Sequence, residues 1–135
     1  MAHERHDQHS PLARVLLIDD SATIRKIVTT TLTRAGYETQ TFADGIAAMR
    51  WLAAPESQLP DLLLVDLGLP KMDGYEVIRR IKGKPQFAQT RCIILSRRDG
   101  MLDKLKGRLA GATIYLAKPF TAQALLTAVH TSLSR

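Results

Sequence analysis

Two kinds of apolar pattern alternate along the chain. Arg14–Ile18 (RVLLI), Leu62–Val65 (LLLV) and Arg91–Leu95 (RCIIL) are short apolar runs without polar alternation, too short for helices, and read as strands buried on both faces of a parallel sheet. Tyr37–Phe42 and Thr113–Ala117 supply two more strands. Between them the apolar period becomes helical. Ser21–Ala35 carries Ile24, Ile27, Val28 and Leu32 on one face, with Gly36 as the stop. Asp44 opens a helix holding Ile46, Ala47, Met49, Trp51 and Leu52 until Pro55 ends it, and Trp51 reads as packing. Gly74–Gly83 turns Val77, Ile78 and Ile81 inward. A fourth helix is expected from about Gly100 to Ala110, stopped by Gly111, and Thr121 opens a fifth with Leu125, Leu126 and Val129 on one face and His130 exposed.

Strict alternation of strand and helix predicts an α/β fold, a five-stranded parallel sheet with helices on both faces, because each right-handed crossover must return over the sheet. The fold rule supplies the order 2-1-3-4-5, with the switch point between the first and third strands. Ligands gather outside the carboxyl ends of such strands, and four of the five end in useful chemistry: Asp19 and Asp20, Asp66, Ser96, and Lys118. Any one of these alone reads equally well as a cap or a surface ion pair. Together they form a constellation. Three converging carboxylates repel one another, and a divalent cation would offset that repulsion. An oxygen-only ligand set suits Mg²⁺ better than Zn²⁺. With Lys118 opposite and the Ser96 hydroxyl beside it, the crevice would cradle a phosphoryl group, with Asp66 as the nucleophile that forms an acyl phosphate.

Composition narrows the alternatives. At 135 residues the chain is long enough for one domain with a real core, and positions 1–11 lack apolar periodicity and read as a flexible tail. His3, His6 and His9 in that tail have no second-shell support for a metal. No run approaches a membrane span and the amino end lacks a hydrophobic signal region, so a cytoplasmic protein without membrane contact is expected. The lone Cys92 reads as a small core residue. A net charge of +6, with ten of nineteen basic residues between Arg79 and Arg108, invites a nucleic-acid reading. With seven aromatics and no zinc-finger spacing, direct nucleic-acid binding is not expected, and the segment reads as a solvated face or a dock for an acidic partner.

LIDDS, LLLVDLGLPKMDG, IILS and YLAKPF, in that order, resemble the receiver domain of two-component response regulators, and the likeness runs over 12–135. The resemblance implies a flavodoxin-like receiver fold in which Asp66 takes a phosphoryl group from a sensor histidine kinase or its phosphotransfer domain. It implies Mg²⁺ held by Asp20, Asp66 and the Gly68 backbone carbonyl, with Asp19 acting through water. It further implies that Ser96 and Tyr115 form a switch pair, that the Lys118–Pro119 bond is cis, and that a downstream protein target reads the fourth helix, fifth strand and fifth helix. The segment from Ser96 to Phe120 is similar to the single-domain regulators of twitching-motility chemosensory systems. With no output domain after Arg135, a stand-alone receiver is expected, not an enzyme beyond its own phosphoryl transfer and slow dephosphorylation.

Two positions depart from the family pattern. Arg97 stands where a small residue usually leaves the pocket open, so it either hinders entry of donor and water or adds a cation that stabilises the bound group, and the first is expected; Gly68 has no side chain to orient water, which also points to slow hydrolysis of the phosphoryl state. They leave room for an adaptor receiver that acts without phosphorylation. A phosphatase with Asp66 as nucleophile is the other alternative, but it would want a second carboxylate where Gly68 stands. A nucleotide-binding domain would want a glycine-rich first turn in place of Asp19, Asp20 and Ser21.

Overall fold

A computed structural model describes residues 11–55, 57–97, 111 and 114–134. The helix expected over 100–110, the three tail histidines and most of the tail lie outside the described residues. Strands β1 (Arg14–Ile18), β2 (Glu38–Phe42), β3 (Leu62–Asp66), β4 (Arg91–Ser96) and β5 (Ile114–Ala117) form one sheet in the order β2-β1-β3-β4-β5. Every pairing is parallel, with Leu16 opposite Leu63 and Leu64 opposite Ile93. The described α-helices are α1 (Ala22–Arg34), α2 (Gly45–Leu52) and α3 (Gly74–Lys82), and a C-terminal helix (Ala122–Leu133). None is long and apolar enough to cross a membrane.

The period of two along each strand sorts the core into two layers. Leu16, Ile18, Leu63, Val65, Cys92 and Ile94 face α2 and α3, where Ala48, Leu52, Val77, Ile78 and Ile81 meet them. Val15, Leu17, Leu62, Leu64, Ile93 and Leu95 face the other way, onto Val28 and Leu32 of α1 and Leu125 and Val129 of the C-terminal helix. All of β3 is buried, as its unbroken apolar run requires. In the same layer as α2 and α3, Cys92 has its thiol pushed up to about 12, chiefly by burial and against the opposing charge of Lys82. It is a packing residue.

Local chemistry sets the element ends. Ser21, Asp44, Asp73 and Thr121 each accept a backbone N–H of the following first turn, so four helices begin on a side-chain cap. At the other end of α1, Tyr37 N–H donates to Leu32 O and Gly36 N–H to Thr33 O, a Schellman closure that needs the left-handed φ of 100° at Gly36. Four details differ from the sequence expectation. The second strand starts at Glu38, and α2 ends at Leu52, ahead of Pro55, because its last turn unwinds through Ala53 and Ala54. Ile27 and Ile46 are 46% and 38% exposed, lying at the margins of apolar stripes whose centres are Val28 and Ala48. A 3₁₀ turn at Pro85–Phe87, not expected, anchors Phe87 in the core. Lys82 ties that turn down by donating to the carbonyls of Phe87, Ala88 and Thr90.

Candidate functional site

The order of strands reverses between β1 and β3, and beyond their carboxyl ends a crevice opens, lined by Asp20, Ser21, Asp66, Gly68, Ser96, Arg97, Lys118 and Pro119. Each chemical group reaches it from the end of a strand: Asp19 and Asp20 after β1, Asp66 closing β3, Ser96 closing β4 and Lys118 following β5. The turn after β5 is set by a hydrogen bond from Lys118 N–H to Ser96 O at 2.8 Å and by a cis Lys118–Pro119 peptide.

Asp19, Asp20 and Asp66 each offer a carboxylate oxygen within 4.8 Å of the others. Asp19 is fully buried, Asp66 nearly so, and Asp20 stands open to solvent. Lys118 Nζ lies between the two buried carboxylates, 2.7 Å from Asp19 Oδ2 and 3.1 Å from Asp66 Oδ1. Asp19 Oδ1 accepts the Ser21 N–H at 2.9 Å, and its main-chain oxygen accepts Arg25 Nη1 at 2.8 Å. Every polar atom of Asp19 beyond the peptide N–H is therefore engaged, and that N–H donates to Phe42 O. Such an anchored carboxylate cannot swing far.

Asp66 is held differently. Burial and then the Asp19 charge raise its pKa, while the bond and charge of Lys118 and the Gly68 N–H pull the other way and do not fully compensate. Burial works against the charged form of Lys118, but the hydrogen bonds and charges of Asp19 and Asp66 prevail and raise its pKa. Among the described residues three carboxylates crowd about the single ammonium that bonds two of them, a surplus of negative charge on the crevice floor. That surplus, met only by oxygen ligands, fits a hard divalent cation.

Gly74 lets α3 start hard against the strand end: a Cβ there would lie 2.5 Å from Asp66 O and 3.0 Å from Leu67 Cα. Gly68 is under no such restriction, since a Cβ would sit 3.6 Å from Asp66 Oδ2, an ordinary contact. Arg97 is exposed at the rim. Tyr115 packs against the α2 and α3 layer, its hydroxyl buried and without a hydrogen-bond partner among the described residues.

The structure thus brings Asp19, Asp20, Asp66, Gly68, Ser96, Arg97, Lys118 and Pro119 to one crevice and sets Tyr115 on the edge strand β5, opposite Ile94 of β4. Arg25 went unnoticed in the sequence. Its only signal there is a basic residue six positions after Asp19, about one turn into α1, where a long side chain can reach back over the strand end.

Comparison with known proteins adds an independent line. The family model for the response regulator receiver domain matches residues 15–130. Protein PilG of Pseudomonas aeruginosa is 39% identical over 123 residues, covering 91% of this chain and 89% of PilG. The DNA-binding dual master transcriptional regulator RpaA of Synechocystis is 36% identical over 124 residues, which cover 92% of this chain and 50% of RpaA. The chain thus spans most of PilG but half the length of RpaA. Among solved structures, the chemotaxis response regulator CheY4 of Vibrio cholerae superposes with a TM-score of 0.83 at 34% identity, covering 90% of this chain and 98% of that one.

Proposed function

The chain belongs to the response regulator receiver family, and from that premise we propose that Asp66 is its phosphoacceptor. Receiver domains are phosphoacceptor signalling modules that interact with histidine kinases and downstream targets. The observation that carries the assignment of Asp66 is its position at the end of β3, within 4.8 Å of two further carboxylates and 3.1 Å from Lys118 Nζ. An Asp66 carboxylate oxygen attacks phosphorus, the bond to the donor imidazole nitrogen breaks, and the electron pair leaves with the imidazole. Lys118 neutralises charge on the transferred oxygens, and Ser96 is placed to donate to one of them. Asp20, Asp66 and the Gly68 carbonyl would hold Mg²⁺, with Asp19, whose oxygens are committed to Ser21 and Lys118, acting through water. When bound, the ion supplies positive charge that offsets the carboxylates and the incoming phosphoryl oxygens.

In this reading Ser96 and Tyr115 relay the modification. Ser96 moves toward the phosphoryl oxygens, and the buried Tyr115 hydroxyl, without a partner among the described residues, is the group free to reorganise behind it. The surface thereby altered is the one made by the fifth strand and the C-terminal helix, where a downstream protein target would bind. Likeness to PilG over 89% of its length supports a place among chemosensory regulators of the twitching-motility type. Such a protein works in the cytoplasm and catalyses only its own phosphoryl transfer and slow dephosphorylation.

Incubation with Mg²⁺ and a small acyl phosphate, followed by intact-mass measurement, tests the assignment. One phosphoryl adduct on wild type and none on Asp66→Asn is expected. Equal labelling of both, or steady turnover of a phosphate ester with no adduct, overturns it.

A further inference from the structure

We infer that Arg25 is a positioning residue for the metal-binding turn, a role that rests on the phosphoacceptor reading of the crevice. The guanidinium reaches back from α1 and donates from Nη1 to the main-chain oxygen of Asp19 at 2.8 Å. Asp19 and Asp20 are consecutive and Ser21 caps α1, so this one bond pins the peptide that aims both carboxylates. Without it, the link between β1 and α1 would depend on the Asp19 N–H bond to Phe42 O, the Ser21 contacts and Lys118.

Lys118 is the weaker guarantor. Its ammonium bonds Asp19 and Asp66 together, at 2.7 and 3.1 Å, and a group attached to Asp66 brings new anionic oxygens into the same space. As Lys118 turns toward them, its hold on Asp19 loosens. Arg25 keeps its own contact, because it approaches from the helix side and touches the carbonyl, not the carboxylate. It also leaves a positive charge beside a fully buried anion when Lys118 is occupied elsewhere. The division is simple: Lys118 serves the reacting group, and Arg25 holds the turn.

Isothermal titration with MgCl₂ on the full chain tests this, paired with the rate of acyl-phosphate labelling as a function of Mg²⁺. Arg25→Ala is expected to weaken Mg²⁺ binding about tenfold, the size expected for a hydrogen bond from a charged donor, while the labelling rate at saturating Mg²⁺ stays within about twofold of wild type. Arg25→Lys, which keeps one charged donor, should recover part of the affinity. Lys26→Ala, at the exposed neighbouring position, should change nothing. A merely structural role would lower the melting temperature and leave the affinity of the folded protein unchanged. Unchanged affinity in both Arg25 variants, beside a wild type that binds, overturns the role of Arg25 alone, as does a loss confined to the saturated rate. Should Arg25→Ala not fold, Arg25→Lys decides by the same two readouts. A wild type that neither binds Mg²⁺ nor gains a phosphoryl group overturns the phosphoacceptor reading itself.

Discussion

Lys118 Nζ and Asp19 Oδ2 stand 2.7 Å apart with the carboxylate fully buried, so a residue after the last strand neutralises one after the first. This contact closes the sheet edge across ninety-nine positions of sequence. Removing the lysine strands a buried charge, and breaking a buried pair in this way costs about 3 kcal/mol or more. Lys118→Met should therefore lower the metal-free melting temperature by several degrees, recover more than wild type does on adding Mg²⁺, and label poorly with acyl phosphate. Thermal melts with and without Mg²⁺ check this. Since the folded-state pKa of Lys118 is raised above 10.5, its contribution is fully present below that pH and is lost as pH rises through the folded value.

Asp66 also loses stability as pH rises, but at neutral pH it destabilises where Lys118 stabilises. Its folded pKa is raised above 3.8, chiefly by burial, so the folded state retains a proton that the unfolded chain has already released. Stability without metal then declines as pH rises from about 3.8 through the folded value and stays reduced at neutrality. Asp66→Asn removes that cost, and its melting temperature at pH 7 without Mg²⁺ should exceed that of wild type by roughly 2–4 °C. The gap should shrink below pH 4 and reverse in high Mg²⁺, which stabilises only the chain that can bind it. A variant that melts lower than wild type throughout would contradict the raised pKa.

Arg97 leans over the crevice from the position after Ser96, exposed and within the lining that includes Asp66 and Lys118. A guanidinium there would stand in the way of a water approaching the proposed acyl phosphate. Arg97→Ala should shorten the phosphoryl lifetime on the order of fivefold by readmitting water, as followed by intact mass after removal of the donor. A lifetime equal to or longer than that of wild type would instead make Arg97 irrelevant to hydrolysis or an aid to it.

Sequence made the sheet and the crevice legible for the same reason. Strands buried on both faces need unbroken apolar runs, so the residue at which RVLLI, LLLV or RCIIL gives way to a polar one marks the strand's end, and ligand chemistry in a parallel sheet collects there. Asp19, Asp66 and Ser96 were visible on that ground. What stayed hidden depends on three-dimensional closure. Periodicity shows that α1 and α2 have apolar stripes but not where their centres fall, and Ile27 and Ile46, apolar positions of those helices, lie at the margin. The reach of Arg25 to a carbonyl and the three carbonyls under Lys82 involve main-chain acceptors, which leave no residue-type signal.

Two glycines at helix starts separate a packing constraint from a functional one. At Gly45 an added Cβ would collide with Val77 Cγ2, a side-chain atom on α3 that can be trimmed away, while at Gly74 it would meet the Asp66 carbonyl oxygen at 2.5 Å and the Leu67 backbone at 3.0 Å. Gly45→Ala should destabilise by about 1–3 kcal/mol through overpacking. In the background of Val77→Ala the same substitution should be close to neutral, giving a coupling of at least about 1 kcal/mol in the double-mutant cycle. No side-chain removal can make room at position 74. Gly74→Ala should therefore displace the start of α3 or the end of β3, stay destabilised in the Val77→Ala background, and lose phosphoryl labelling of Asp66 well before it loses its fold. Denaturant melts and intact-mass labelling on the three single and two double variants distinguish the cases: labelling that survives in folded Gly74→Ala would mean that the Asp66 carboxylate tolerates a shift of its own main chain.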